Sequence, residues 1–256
     1  MAKLQNNFLT LHPNRKNMLS KNQIKLVRSL ELKKNRKKEG LFVAEGPKVV
    51  GDLLRAGYKA RMIFSTTERE DAILITNEEL HKLSFLQHPQ EVLAVFEIPQ
   101  TSHLSPLTSQ LSLALDGVQD PGNLGTIIRI ADWFGISAIY CSLDTADVYN
   151  PKVVQATMGS IAHVPIIYTD LHELLSKADC PIYGTLLDGE DIYQQELESK
   201  GIIVMGNEGN GISAPIRKLI THKLLIPNFN QGSTTAESLN VAIATAITCS
   251  EFRRRT

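Results

Sequence analysis

The chain has 256 residues, 43% apolar and 21% charged, an ordinary globular composition that excludes a wholly disordered chain, a collagen-like repeat and a disulfide scaffold. No run of about 18 apolar residues occurs, and the opening MAKLQNNFLTLHPNRKN lacks a continuous apolar stretch, so neither a membrane span nor a signal peptide is indicated. The formal charge is zero but unevenly spread: 15 basic and 4 acidic side chains lie up to Arg61, against 12 and 23 in the rest.

The densest cationic stretch holds Lys33, Lys34, Arg36, Lys37 and Lys38. Cations clustered in this way neutralise phosphates and release counterions, which favours a nucleic-acid partner; a solvated helix face would read the same. Cys141, Cys180 and Cys249 are far apart and lack zinc-ligand spacing. They fit reduced thiols in a cytoplasmic protein and offer no metal site.

In chain order, Ser20 is placed to cap a helix from Lys21 that ends before Gly40, with Ile24, Val27, Leu30 and Leu32 roughly at helical spacing. LFVAE reads as a strand, and Gly46-Pro47 opens a helix through Leu54. Short strands and helices alternate through Phe64, Ile73-Leu74 and Glu78–Leu83 to a strand in EVLAVFEI. The polar PQTSHLSPLTS is the linker candidate. It divides a first domain, residues 1–98, which holds the cationic stretch, from a second domain, residues 110–256, across a linker at 99–109.

In the second part, LSLALD, AIYC, PIYGTLL and GIIVMG read as strands. Asn123–Gly135, Lys152–Met158, Ser213–Leu219 and Ser238–Ser250 read as helices. Strands alternating with helices imply an α/β domain with a mainly parallel sheet. The division predicts that removing residues 1–98 leaves the second domain's ligand site folded.

Three polar, glycine-containing turns in that domain carry the chemistry. In LDGVQDPGNLGTIIRIADWFG a buried strand ends at Asp116, and Asn123 stands where it can cap the following helix. Arg129 lies within that helix among apolar neighbours, where its guanidinium could serve a phosphate. In GIIVMGNEGNGIS a strand runs into Gly206-Asn207-Glu208-Gly209-Asn210-Gly211, whose glycines permit positive φ and close backbone approach to a ligand. The order G-x-x-G-x-G differs from the dinucleotide fingerprint, and no acidic residue follows at the distance needed to hold a ribose, which argues against an oxidoreductase. In LLIPNFNQGSTTAESLNVAIATAI a strand ends near Pro227, and Ser238-Leu239-Asn240 opens an apolar helix.

These segments, in this order, resemble the three motifs of the SpoU-type (TrmH-like) RNA 2′-O-ribose methyltransferases of the SPOUT superfamily. The resemblance covers roughly residues 110–250. SKNQIKLVRSL and GLFVAEGPKVV resemble the substrate-binding domain attached to such enzymes, a small α/β domain like a ribosomal protein. The resemblance implies a C-terminal deep trefoil knot, a homodimer through that domain, and S-adenosylmethionine as cofactor, without a metal. It places the cofactor at Thr185, Leu186, Gly206, Asn207, Gly209, Gly211, Ile226, Ser238 and Leu239. It implies methyl transfer to a ribose 2′-hydroxyl of rRNA or tRNA, with Asn123, Arg129, Glu208, Ser238 and Asn240 as the catalytic set and Lys33, Lys34, Arg36, Lys37 and Lys38 on RNA. Asn123 would orient the ribose or Arg129, and Glu208 would organise its loop and contact Arg129 in the same or the partner subunit. NFNQGSTTAE, which ends in Glu237, is longer than the corresponding stretch in many relatives. The alternative is an RNA-binding protein of the same fold that has lost catalysis.

Overall fold

A computed structural model describes residues 19–99, 110–230 and 237–254. They form nine α-helices and ten strands in two sheets. All of the expected linker except Pro99 lies outside the described residues.

The first helix, α1 (Lys21–Ser29), begins at Ser20, whose hydroxyl accepts from the Gln23 N–H while the Gln23 side chain accepts from the Ser20 N–H. This reciprocal cap satisfies two of the donors that a helix start leaves open. The helix does not run on to Gly40 as the spacing predicts. It stops at Leu30, the chain passes through an extended Leu32 (φ −90°, ψ 128°), and a second helix, α2 (Lys33–Glu39), follows. The break lies between helix formers, so no glycine or proline announces it. What holds it is a side chain five and six residues on: Arg36 Nη1 donates to the Leu30 and Glu31 carbonyls, at 2.8 and 2.7 Å, which the end of α1 leaves without helical partners.

A mixed sheet follows, built from β1 (Leu41–Glu45), β2 (Ala60–Ser65), β3 (Ile73–Leu74) and β4 (Val92–Glu97) in the order β1-β4-β2-β3. The helices α3 (Pro47–Arg55) and α4 (Asn77–Leu83) connect its strands. Every residue of β1 is buried, because both faces of the sheet are covered. Leu41 and Val43 pack with Val27, Leu30 and Leu80, whereas Phe42 and Ala44 join a cluster that continues into the rest of the molecule.

The second sheet is wholly parallel, in the order β10-β8-β9-β5-β6-β7. Its strands are β5 (Leu111–Asp116), β6 (Ile139–Cys141), β7 (Ile166–Tyr168), β8 (Ile182–Asp191), β9 (Gly201–Gly206) and β10 (His222–Leu225). The helices are α5 (Pro121–Trp133), α6 (Pro151–Ala156), α7 (Leu171–Ser176), α8 (Ala214–Arg217) and α9 (Val241–Arg254). β7 and α7 are additional to the elements read from the sequence; both are short and weakly patterned. The helix α5 opens earlier than expected: Asp120 is its cap, accepting the Asn123 N–H at 2.8 Å. Asn123, expected to cap, sits one turn inside with its side chain free for another task. By contrast α9 begins later than expected, at Val241, and Asn240 caps it through bonds from the Ala242 and Ile243 N–H groups at 2.9 and 3.3 Å.

The two sheets share a core. Phe42, Val50, Leu53 and Phe96 belong to the same buried cluster as Leu113, Ile128, Val153 and Ile203. Phe42 and Tyr149 meet with ring centroids 4.7 Å apart, and Lys48 Nζ donates to the Met158 carbonyl at 2.6 Å. Removing residues 1–98 would therefore uncover part of this core.

Candidate active site

β5 and β9 are neighbours at the centre of the parallel sheet, with Asp116 in register with Gly206. β6 and β7 lie on one side of this pair and β8 and β10 on the other. Loops leaving the carboxyl ends of strands at such a reversal open a crevice, the usual ligand position in parallel α/β sheets.

The loop after β9 closes on itself. Asn207 and Gly211 exchange both backbone hydrogen bonds at 2.9 Å, and Asn207 Oδ1 accepts from the Gly209 and Asn210 N–H groups at 2.9 and 3.0 Å. Asn207 Nδ2 also donates to the Gly117 carbonyl at 2.6 Å, joining this loop to the one after β5. Gly206 has no room for a side chain, since a Cβ would collide with the Gly211 and Ile212 backbone, and Gly211 holds φ +66°. These two glycines are thus required by closure of the loop itself. Gly209 is open and lies outside the positive-φ region, with nothing nearer than 3.6 Å to an added Cβ.

Glu208 projects from the loop to the start of α5. Its carboxylate accepts from the Gln119 and Asp120 N–H groups at 3.2 and 3.1 Å and from Asn123 Nδ2 at 3.0 Å. Burial works against ionisation, but the Asn123 side chain and these backbone donors outweigh it and hold the carboxyl below its ordinary value. Asn123 Oδ1 in turn accepts from Asn240 Nδ2 at 2.9 Å. A chain of bonds, Glu208–Asn123–Asn240, therefore ties all three sequence segments together.

Beside this chain lies a cavity of about 790 Å³, within the size range of small-molecule sites. All nine positions expected to hold the cofactor line it: Thr185, Leu186, Gly206, Asn207, Gly209, Gly211, Ile226, Ser238 and Leu239. Glu208, Ser238 and Asn240 are on its wall, and Asn123 is one hydrogen bond behind. Sequence reading did not single out Asp188, Met205 or Arg217, which also line it. Nothing in their spacing marks them, because they reach the wall only through the order of the strands.

Arg129 stands apart. It is exposed on α5 and makes no hydrogen bond or ion pair among the described residues. The Glu208–Arg129 contact is not made within the described chain, where Asn123 takes that place.

The cationic helix divides too. Lys33, Lys34, Lys37 and Lys38 are exposed, but Arg36 is only 2% exposed. Besides its two carbonyl bonds, its guanidinium meets Asp147 Oδ2 through Nε and Nη2 at 3.1 and 2.6 Å. Arg36 is therefore withdrawn from any RNA surface: helical spacing turns it inward, where the carbonyls at the end of α1 and the Asp147 carboxylate fill its donors. Among the described residues no group of three His, Cys, Asp or Glu side chains is arranged to hold a metal, and no helix is long and apolar enough to cross a membrane.

A parallel α/β domain with a ligand cavity at the carboxyl ends of its central strands, built by three mutually bonded loops, defines a doubly wound cofactor-binding class. Residues 110–250 match the SpoU rRNA Methylase family, and residues 21–94 match the MRM3-like substrate binding domain. The chain belongs to the SpoU rRNA methylase family.

Among curated relatives it is similar to the 23S rRNA (guanosine(2553)-2′-O)-methyltransferase RlmP of Bacillus subtilis (strain 168), with 33% identity over 89% of this chain and 95% of that protein. Among solved structures it resembles a TrmH-family protein from Porphyromonas gingivalis, with 42% identity, a TM-score of 0.83, and 93% and 100% of the two chains covered. It also resembles an AdoMet-bound rRNA methyltransferase from Sinorhizobium meliloti, with 33% identity, a TM-score of 0.80, and 93% and 97% covered.

Proposed function

We propose that this protein is an S-adenosylmethionine-dependent RNA methyltransferase that modifies a ribose 2′-hydroxyl of ribosomal RNA. The observation that carries this reading is the cavity wall, on which the Glu208–Asn123–Asn240 chain holds three family motifs around one small-molecule site. The wall fits the cofactor: the open Gly209 lets a ligand approach the loop backbone closely, and Leu186, Ile226 and Leu239 offer apolar surface for a base. When bound, S-adenosylmethionine supplies an activated methyl group on a sulfonium.

The chain's own residues orient and exclude. Glu208 fixes the loop from Gly206 to Gly211, and Asn240 fixes the start of α9, so both sides of the cavity hold one geometry. The planar guanidinium of Arg129, with donors and no acceptor, suits a phosphate clamp that positions the ribose better than a proton acceptor. Ser238 adds a hydroxyl to the wall. The exposed Lys33, Lys34, Lys37 and Lys38 supply the electrostatic contact with RNA. The rRNA methyltransferase relatives support an rRNA substrate, and a cytoplasmic location is part of this reading.

This reading includes the family's trefoil knot and a homodimer through the second domain. Support for the dimer lies on α5 and α9, which run side by side, joined by Asn123–Asn240 at one end and by Arg253 Nε to the Phe134 carbonyl at 2.7 Å near the other. They leave Trp133, at 85% exposure, and Ile243, at 52%, in water.

Transfer of labelled methyl from S-adenosylmethionine to rRNA from a strain lacking this enzyme tests the proposal. Label in a 2′-O-methyl nucleoside is the expected result. No label with cofactor binding intact would point to an assembly-stage substrate, and no label without cofactor binding would turn the reading toward an RNA-binding protein without catalysis.

A further inference from the structure

Three carboxylates line the cavity: Asp188, Glu208 and Glu237. Two are already matched within the protein. Asp188 pairs with Arg217 and, at 3.2 Å, with Lys223 Nζ. Glu208 is held by the Gln119, Asp120 and Asn123 donors. Glu237 makes no hydrogen bond or ion pair among the described residues, and it directly precedes Ser238, Leu239 and Asn240, which line the same wall. The one cation on the wall among the described residues, Arg217, is turned to Asp188. Among the described residues the cavity thus presents one unmatched negative charge, at Glu237.

An unmatched carboxylate beside a ligand cavity favours a cationic ligand over a neutral one of the same shape. Resting on the methyltransferase reading above, the ligand that enters and the one that leaves differ in just this respect. S-adenosylmethionine carries a sulfonium and has one net positive charge at neutral pH. S-adenosylhomocysteine keeps the ammonium and carboxylate but has a neutral thioether. We propose that Glu237 is a specificity-determining residue that faces the sulfonium of the cofactor and makes the site prefer it to the demethylated product. The charge of Glu237 thereby helps to load the cofactor and loses its hold once the methyl group has gone.

The test is calorimetric titration of the full chain with three ligands: S-adenosylmethionine, S-adenosylhomocysteine, and sinefungin, which carries an amine near the position of the sulfonium. In the wild-type protein the two cationic ligands bind more tightly than the thioether. Glu237→Gln lowers affinity for both cationic ligands by about five-fold or more, the scale of one screened charge at short range, and leaves S-adenosylhomocysteine within about two-fold. Glu237→Lys widens the loss in the same direction. An equal loss for all three ligands would assign Glu237 to the ammonium or to wall structure and overturn the proposal, as would no change for any. Failure of the wild-type protein to bind any of the three would instead overturn the methyltransferase reading on which the proposal rests.

Discussion

Asn123 illustrates how one side chain acquires its task. As an asparagine near a helix start it reads as a cap, but Asp120 takes that role, and Asn123 is left to bridge Glu208 and Asn240. Asn123→Ala should remove the bridge without disturbing the cap. It is expected to weaken S-adenosylmethionine binding about ten-fold while changing stability by less than about 2 kcal/mol, checked by titration and thermal melts. Because hydrogen bonds hold the Glu208 carboxyl below its ordinary value, its ordering effect is complete at neutral pH and is lost as pH falls through that lowered value. Cofactor affinity should therefore stay flat from neutral pH down to about the ordinary glutamate value near 4.3 and fall only below it; a decline already at pH 6 would count against Glu208 as the ordering group. Arg129, unpaired among the described residues, predicts the opposite profile to Asn123. Arg129→Ala should abolish methylation and leave cofactor affinity nearly unchanged, and wild-type turnover by that variant would refute its assignment.

At the scale of elements, close packing decides what composition leaves open. Gly125 lies inside α5, where glycine is unfavourable, yet a Cβ there would run into the Ala156 side chain and lie 3.0 Å from the Val153 carbonyl oxygen. Gly125→Ala should gain helix propensity and still destabilise the protein by about 1–3 kcal/mol, because α5 and α6 would have to separate; a raised melting temperature would contradict this packing. α2 divides its cations by the same geometry: four lysines face water and Arg36 faces inward. Replacing Lys33, Lys34, Lys37 and Lys38 together with alanine should weaken RNA binding and make its salt dependence shallower. The slope of log K against log salt should fall by about 0.7–0.9 for each phosphate that is no longer neutralised. Cofactor binding, measured on the same variant, should not change.

On the scale of the whole molecule, one buried cluster and one buried ion pair join the two sheets. Arg36 Nη2 and Asp147 Oδ2 lie 2.6 Å apart, and the arginine side chain is 2% exposed against 16% for the aspartate. Arg36→Ala leaves Asp147 without its counter-charge and the end of α1 without its donors, so it should cost about 3–5 kcal/mol. Replacing both residues with leucine should restore much of the loss in thermal melts.

Much of this architecture was legible in the chain. LSLALD and GIIVMG show their burial in composition, the Ser20 cap shows its box, and the glycine order of Gly206–Gly211 separates it from a dinucleotide loop. These signals are local, carried by residues within one strand, turn or helix start. The inward turn of Arg36 onto Asp147, the bridging of Glu208 and Asn240 by Asn123, and the arrival of Asp188 and Arg217 on the cavity wall were decided by tertiary structure. Each depends on a partner distant in the chain or on strand order, which hydrophobic periodicity does not encode. The sequence by itself determined most of the elements, the parallel α/β class and the three loops of the site; only packing decided which side chains meet there, because contact between distant segments is settled by the space and charge they share once folded.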